Sequence, residues 1–224
     1  MRIAGCLSAA LSWPRLIFSY PVRALRFAIG SALPGGVQCP VMSHFDVRKA
    51  AQVVAFFIQK RGGKTDLIDA MKLAYMADRT SMDLYDVPIL YDDFCHMKHG
   101  PVDTRTYDYA KGSGSEQPIW DSYIERRDND LSLTPNALKD NFDRLSDTEV
   151  DVLERVAKKF SDIKSFDLVS WIHENCKEWE DPGRTSNWLP FERVFEVLKK
   201  NNIEERVERI QEIRNLKEEL AKAQ

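Results

Sequence analysis

Apolar side chains return at three- and four-residue steps in several stretches of the chain, and each such stretch predicts an amphipathic helix. From Asp46 to Lys60 the repeating positions are Val47, Ala50, Ala51, Val54, Phe57 and Ile58, and Arg61-Gly62-Gly63 ends the run. A second helix, capped by Thr65 and running to about Thr80, carries Leu67, Ile68, Ala70, Met71, Leu73, Ala74, Tyr75, Met76 and Ala77, which leaves little polar face. Such a helix belongs at the centre of a fold. Ser146-x-x-Glu149 reads as a capping box opening a helix to Phe160, with Val150, Leu153, Val156 and Phe160 inward. The next helix starts at Ser165 and meets the breaker Asp181-Pro182-Gly183, and Pro190 opens another from Phe191 to Lys200.

The pattern changes between Pro88 and Phe94, where β-forming side chains predict a strand, and His99-Gly100-Pro101 then predicts a sharp corner into a helix from Pro101 to Lys111. Gly112-Ser113-Gly114-Ser115 releases that helix into a loop. Tyr123-Ile124 and Leu131-Ser132-Leu133 flank the turn residues Arg127-Asp128-Asn129-Asp130, a hairpin pattern that with Ile89 to Tyr91 makes a small antiparallel sheet. The fold class expected is mostly α (α+β), a compact helical domain with a small sheet.

After Asn202 comes a highly charged helix with Ile203, Val207, Ile210, Ile213, Leu216 and Leu220 in a narrow apolar seam. That seam is a candidate partner-binding face; a terminal helix folded back on the core is the alternative.

Charge divides the chain. Residues 1–41 contain four arginines and no acidic residue, which leaves 28 of the 32 basic residues against all 35 acidic ones in the remainder, a net charge of −7. An acidic body with no basic run argues against nucleic acid as a partner. Pro14, Pro21, Pro34, Pro40 and Gly35-Gly36 break up the first segment, and Met42 stands where the composition changes, followed by Ser43-x-x-Asp46 as a helix cap. Residues 1–41 are therefore read as a leader outside the fold, residues 42–200 as one domain and 201–224 as the charged terminal helix. Export and organellar targeting stay open as roles for the leader. No run reaches the roughly 20 apolar residues of a membrane span.

Cys95, His96, His99, His173 and Cys176 have loose zinc-like spacing, but four scattered cysteines in a chain this long fit buried core residues better. No metal or other cofactor is expected. There is no P-loop and no Gly-x-Gly-x-x-Gly. His99 or His173 with Asp78, Asp92, Asp93 or Glu174 could form a general-base pair, and no recognisable nucleophile accompanies them. Asp78-Arg79 reads as helix-end charge or an ion pair.

The order of motifs resembles the Panacea domain, the family of SocA-like and phage-associated GepA-like proteins. The residues that carry it are Ala51 to Ile58, then Met71-Lys72-Leu73-Ala74-Tyr75-Met76-Ala77-Asp78-Arg79, and Met97-Lys98-His99-Gly100-Pro101-Val102. Trp120, the hairpin, Leu145-Ser146, Trp171-Ile172-His173-Glu174 and Glu178-Trp179-x-Asp181-Pro182-Gly183 complete it, over about residues 45–195. The resemblance implies a non-catalytic antitoxin in the bacterial cytoplasm that binds an adjacently encoded protein toxin, or an adaptor that delivers the toxin to a ClpXP-type protease. It makes Lys72, Tyr75, Asp78, His99, Gly100, Pro101, Val102, Trp171, His173, Glu178 and Trp179 structural motif residues. A His-dependent hydrolase is the remaining alternative, and neither nucleic acid nor membrane is expected as a partner.

Overall fold

A computed structural model of the chain describes residues 45–139, 142–163 and 165–223. The reading of residues 1–41 as a leader, and of Ser43 as a cap, lies outside the described residues. In chain order the elements are α1 (Val47–Lys60), β1 (Lys64–Asp66), α2 (Leu67–Tyr85), β2 (Phe94–His96), β3 (Val102–Asp103), α3 (Thr104–Ala110) and α4 (Gln117–Asp121). Then follow β4 (Ile124–Arg127), β5 (Asp130–Leu133), α5 (Asp147–Lys159), α6 (Ser165–Asn175), β6 (Asn187–Leu189), α7 (Phe191–Val197) and α8 (Ile203–Lys222). The fold is mostly helical with two small antiparallel sheets, ordered β1-β5-β4 and β3-β2-β6.

Helix α2 is the centre, packed against α1, α5, α6, α7 and β3. Thirteen of its nineteen residues are buried, from Leu67 to Met82. Its cap is Asp66, which accepts the Asp69 N–H at 2.8 Å, and not Thr65. Both side chains can cap, but the carboxylate also opposes the positive helix end, and Thr65 instead donates its hydroxyl to Asp69. The helix continues past Thr80 to Tyr85 and stops at Asp86, whose φ of 65° is left-handed. Asp46 caps α1 through the Lys49 N–H, and the Ser146–Glu149 capping box opens α5 as its sequence predicts.

The sheets differ from expectation in two places. Ile89 to Tyr91 form no strand: the backbone N–H groups of Ile89 and Leu90 donate to Asp78 Oδ1 at 2.9 and 3.1 Å, so they cannot join a ladder. The hairpin's third strand is β1, with Thr65 opposite Leu131. Nor does Pro101 open a helix. The strand after the corner is β3, with Val102 opposite Cys95, and the helix begins only at Thr104. The strand predicted over Pro88 to Phe94 is thus confined to Phe94–His96, and the helix predicted to Lys200 ends at Val197.

The charged terminal helix lies against α7. Ile210 is buried and Ile203 and Val207 pack partly against the core, while Leu216 and Leu220 are 58% and 64% exposed. Its firmest attachment is Arg214, buried, whose guanidinium donates to the Tyr91 and Asp92 carbonyls and to the Asp93 carboxylate.

Candidate functional site

On α2, Lys72, Tyr75 and Asp78 follow at three-residue steps, so their side chains leave on neighbouring parts of one surface. Each ties down a different distant segment. Lys72 is 1% exposed and donates to the Gly100 and Pro101 carbonyls, both at 2.8 Å. Burial pulls its pKa down to about 7, against the raising pull of Cys95, Asp103 and Cys176. Tyr75 donates to Glu178 Oε1 at 2.8 Å, and Arg79 pairs with the same carboxylate. Burial and the neighbouring Glu178 charge push the Tyr75 phenol well above its ordinary range.

Asp78 is fully buried and faces Asp103, itself 1% exposed. Asp78 Oδ2 and both Asp103 oxygens receive no N–H or O–H from the described residues. Burial raises both carboxyl pKa values, and the mutual repulsion of the two charges adds to it for Asp103. A proton held on Asp103 supplies the missing hydrogen bond to Asp78. A further buried carboxyl near this pair, Asp92, is satisfied by the Thr106 N–H and hydroxyl, the Asp93 N–H and Arg105.

The His-Gly-Pro corner sits between α2 and α6. Gly100 has φ +98°, and a Cβ there would stand 3.2 Å from Ile172 Cγ2 and 3.4 Å from Lys72 Nζ. Glycine is needed on both counts. Trp179 donates its indole N–H to the Met97 carbonyl at 2.9 Å and stacks flat on His173, ring centroids 3.8 Å apart. Trp171 packs edge-on to Phe160 at 4.9 Å.

Outside this knot the surface opens into a cleft of about 510 Å³. Met71, Met97, Val102 and Phe166 supply its apolar lining, and Lys72, Lys98, His99 and Lys111 its basic groups. Phe166 is 62% exposed and meets His99 edge-on. Lys98, His99 and Lys111 are exposed as well.

Residues 71–180 match the family model described as the antitoxin SocA-like, Panacea domain. That stretch is similar to the Panacea family. No curated protein and no solved structure matches the chain.

Within the matched stretch the residues from α2, the corner and the α6 region converge: Lys72 on Gly100 and Pro101, Tyr75 on Glu178, Trp179 on Met97 and His173. The zinc-like spacing does not converge in this way. Among the described residues no group of three or more His, Cys, Asp or Glu could hold a metal ion, and His96 Nδ1 accepts the Glu180 N–H instead. His99 rims the cleft, whereas His173 is half-buried against Trp179 and does not line it. Among the described residues no carboxylate is hydrogen-bonded to either imidazole. His173 Nε2 is buried without a hydrogen-bond partner there, and burial lowers this imidazole's pKa.

Three participants carried no signal in the sequence. Arg61, placed at a helix end, reaches inward to Asp69 and to the carbonyls of Phe160, Ser161 and Ile163. Asp103 falls inside the helix expected from Pro101 to Lys111, with nothing to mark it as buried, and Arg214 is one charge among many on a solvated helix. Lys111 and Phe166 enter the cleft only through the packing of α3 and α6. Among the described residues no helix is long and apolar enough to cross a membrane.

Proposed function

We propose that this chain is the antitoxin of a toxin–antitoxin pair and neutralises a cognate protein toxin by binding it directly, in the bacterial cytoplasm. The observation that carries the reading is the family match over residues 71–180. The motif geometry supports it: Lys72, Tyr75, Asp78 and Glu178 each make at least one buried hydrogen bond to a distant segment and hold the chain together, as a binding scaffold requires. Contact with a partner then falls to exposed side chains such as Phe166, Trp188, Leu216 and Leu220, the large apolar type that anchors interfaces.

The test is to express the open reading frame adjacent to this gene alone and together with this chain. The expected result is growth arrest by the neighbour and rescue by co-expression. A harmless neighbour, or arrest that persists, overturns the reading. Toxin half-life in the same cells separates direct sequestration, where it stays constant or lengthens, from delivery to a ClpXP-type protease, where it falls. Rescue that survives His99→Ala and His173→Ala in folded protein removes a His-dependent hydrolase.

A further inference from the structure

The cleft beside the corner combines features that the buried knot does not use. At its floor lies the buried Lys72 amine, which in its protonated form has three N–H donors, two committed to Gly100 and Pro101, and no third acceptor among the described residues. Its rim holds Lys98, His99 and Lys111, and Arg126 extends the basic surface by donating to the Lys111 carbonyl. The acidic residue of the lining, Asp66, is occupied by the Asp69 N–H and the Ser165 hydroxyl. This concentration of positive charge stands on a body whose net charge is −7, so it is local rather than a consequence of composition. Beside it, Phe166 and Met97 present apolar surface to the same opening.

We propose that this cleft docks a short acidic segment of a protein partner, with a carboxylate reaching the free N–H of Lys72 and an adjacent apolar side chain against Phe166 and Met97. A carboxylate fits the lining because the free groups are donors and cations. A desolvated cation ringed by residues that exclude water is the setting in which one anchoring contact dominates an interface. The volume, about 510 Å³, accommodates one or two side chains and not a folded element. Taking the partner to be the toxin rests on the antitoxin reading; the chemistry of the cleft does not.

The first arm measures fluorescence anisotropy of the full chain with two N-acetylated pentapeptides, each carrying a neutral fluorophore through a C-terminal amide, Phe-Glu-Asp-Leu-Glu and its uncharged counterpart Phe-Gln-Asn-Leu-Gln. The acidic peptide should bind at least tenfold tighter. Combined Lys98→Glu and Lys111→Glu should weaken it at least tenfold, and Lys158→Glu, on α5 and outside the cleft, should leave it within twofold. Both cleft lysines are exposed, and among the described residues neither ammonium group makes a hydrogen bond, Lys111 meeting only the Tyr107 ring at 5.8 Å, so these variants retain the fold. Equal affinity for the two peptides, no binding of either, or an equal loss in Lys158→Glu overturns the proposal. The second arm repeats the rescue assay with the double variant. If the wild-type chain rescues and the double variant rescues equally, the cleft proposal fails and the antitoxin reading stands. If the wild-type chain gives no rescue while the peptide arm shows the expected charge dependence, the antitoxin reading fails and the cleft stands.

Discussion

Tyr75 donates its phenolic proton to Glu178 across 103 residues of chain, and Arg79, one helical turn further along α2, claims the same carboxylate. The pair joins the central helix to the segment after α6 in a place where Glu178 is fully buried. Removing the carboxylate by Glu178→Ala strands the Arg79 charge, and the loss is about 4 kcal/mol of unfolding free energy. Tyr75→Phe deletes one bond and leaves the ion pair, for about 2 kcal/mol. Urea unfolding of the two variants checks the order, and a smaller loss for Glu178→Ala than for Tyr75→Phe contradicts it.

Gly100→Ala tests the corner. Its φ of +98° and the 3.2 Å approach of a Cβ to Ile172 act together, at about 2 kcal/mol or more. Ile172→Ala removes the Cγ2 methyl, so in that background Gly100→Ala keeps only its backbone share and part of its cost is recovered in thermal unfolding. Full recovery contradicts a backbone contribution.

The Asp78–Asp103 pair predicts a pH dependence with a definite sign. A carboxyl whose pKa is higher folded than unfolded binds more proton in the folded state. Its contribution is therefore complete below the unfolded value of about 4 and is lost as pH rises through the raised folded value. Asp92 adds repulsion on both carboxyls while Lys72 attracts Asp103, and Tyr91 and Lys217 lie within the field of Asp78. Asp103→Asn replaces the shared proton with a permanent amide donor. The fall in stability from pH 4 toward neutrality is expected to flatten in this variant, measured by chemical denaturation at a series of pH values. An unchanged slope contradicts the shared proton.

Arg214 fastens α8 by three acceptors, so Arg214→Met leaves the buried carbonyl of Asp92 unpaired and costs about 2–3 kcal/mol. Arg214→Lys keeps the charge but loses the fork and recovers only part. Leu216→Ala and Leu220→Ala, on the exposed end of the same helix, change stability by less than about 0.5 kcal/mol. Denaturant midpoints of the four variants check the contrast.

What was legible in the sequence was whatever periodicity and local capping determine. The apolar steps of α1, α2 and α5 and the Ser146–Glu149 box act within a few residues: α1 and α5 stand where they point, and α2 lies where expected but takes Asp66 as its cap and runs on to Tyr85. The strand β1 was not legible, since Lys64, Thr65 and Asp66 show no alternation and owe their pairing to a hairpin more than sixty residues away. Ile89 to Tyr91 misled for the opposite reason. Their side chains favour a strand, but the buried carboxylate of Asp78 takes the amides that a ladder would need. In the site, the resemblance named Lys72, Tyr75, Glu178 and Trp179, whose hydrogen bonds tie distant segments together, whereas the burial of Asp103, the inward reach of Arg61 and the grip of Arg214 depend on packing that no local pattern encodes. The apolar seam of α8 was visible, but not that Ile210 faces the core while Leu216 and Leu220 face outward.

The two amide hydrogens that Asp78 takes from Ile89 and Leu90 belong to a loop, yet both residues are buried. Loop amides ordinarily trade their hydrogen for deuterium fast, and amides of a cooperative core trade it slowly. Ile89 and Leu90 therefore keep the time of α2 and not that of the loop, so their exchange rates are a clock for the whole interior. Two backbone resonances suffice to tell whether the central helix still holds its surroundings, in a variant or with a partner bound.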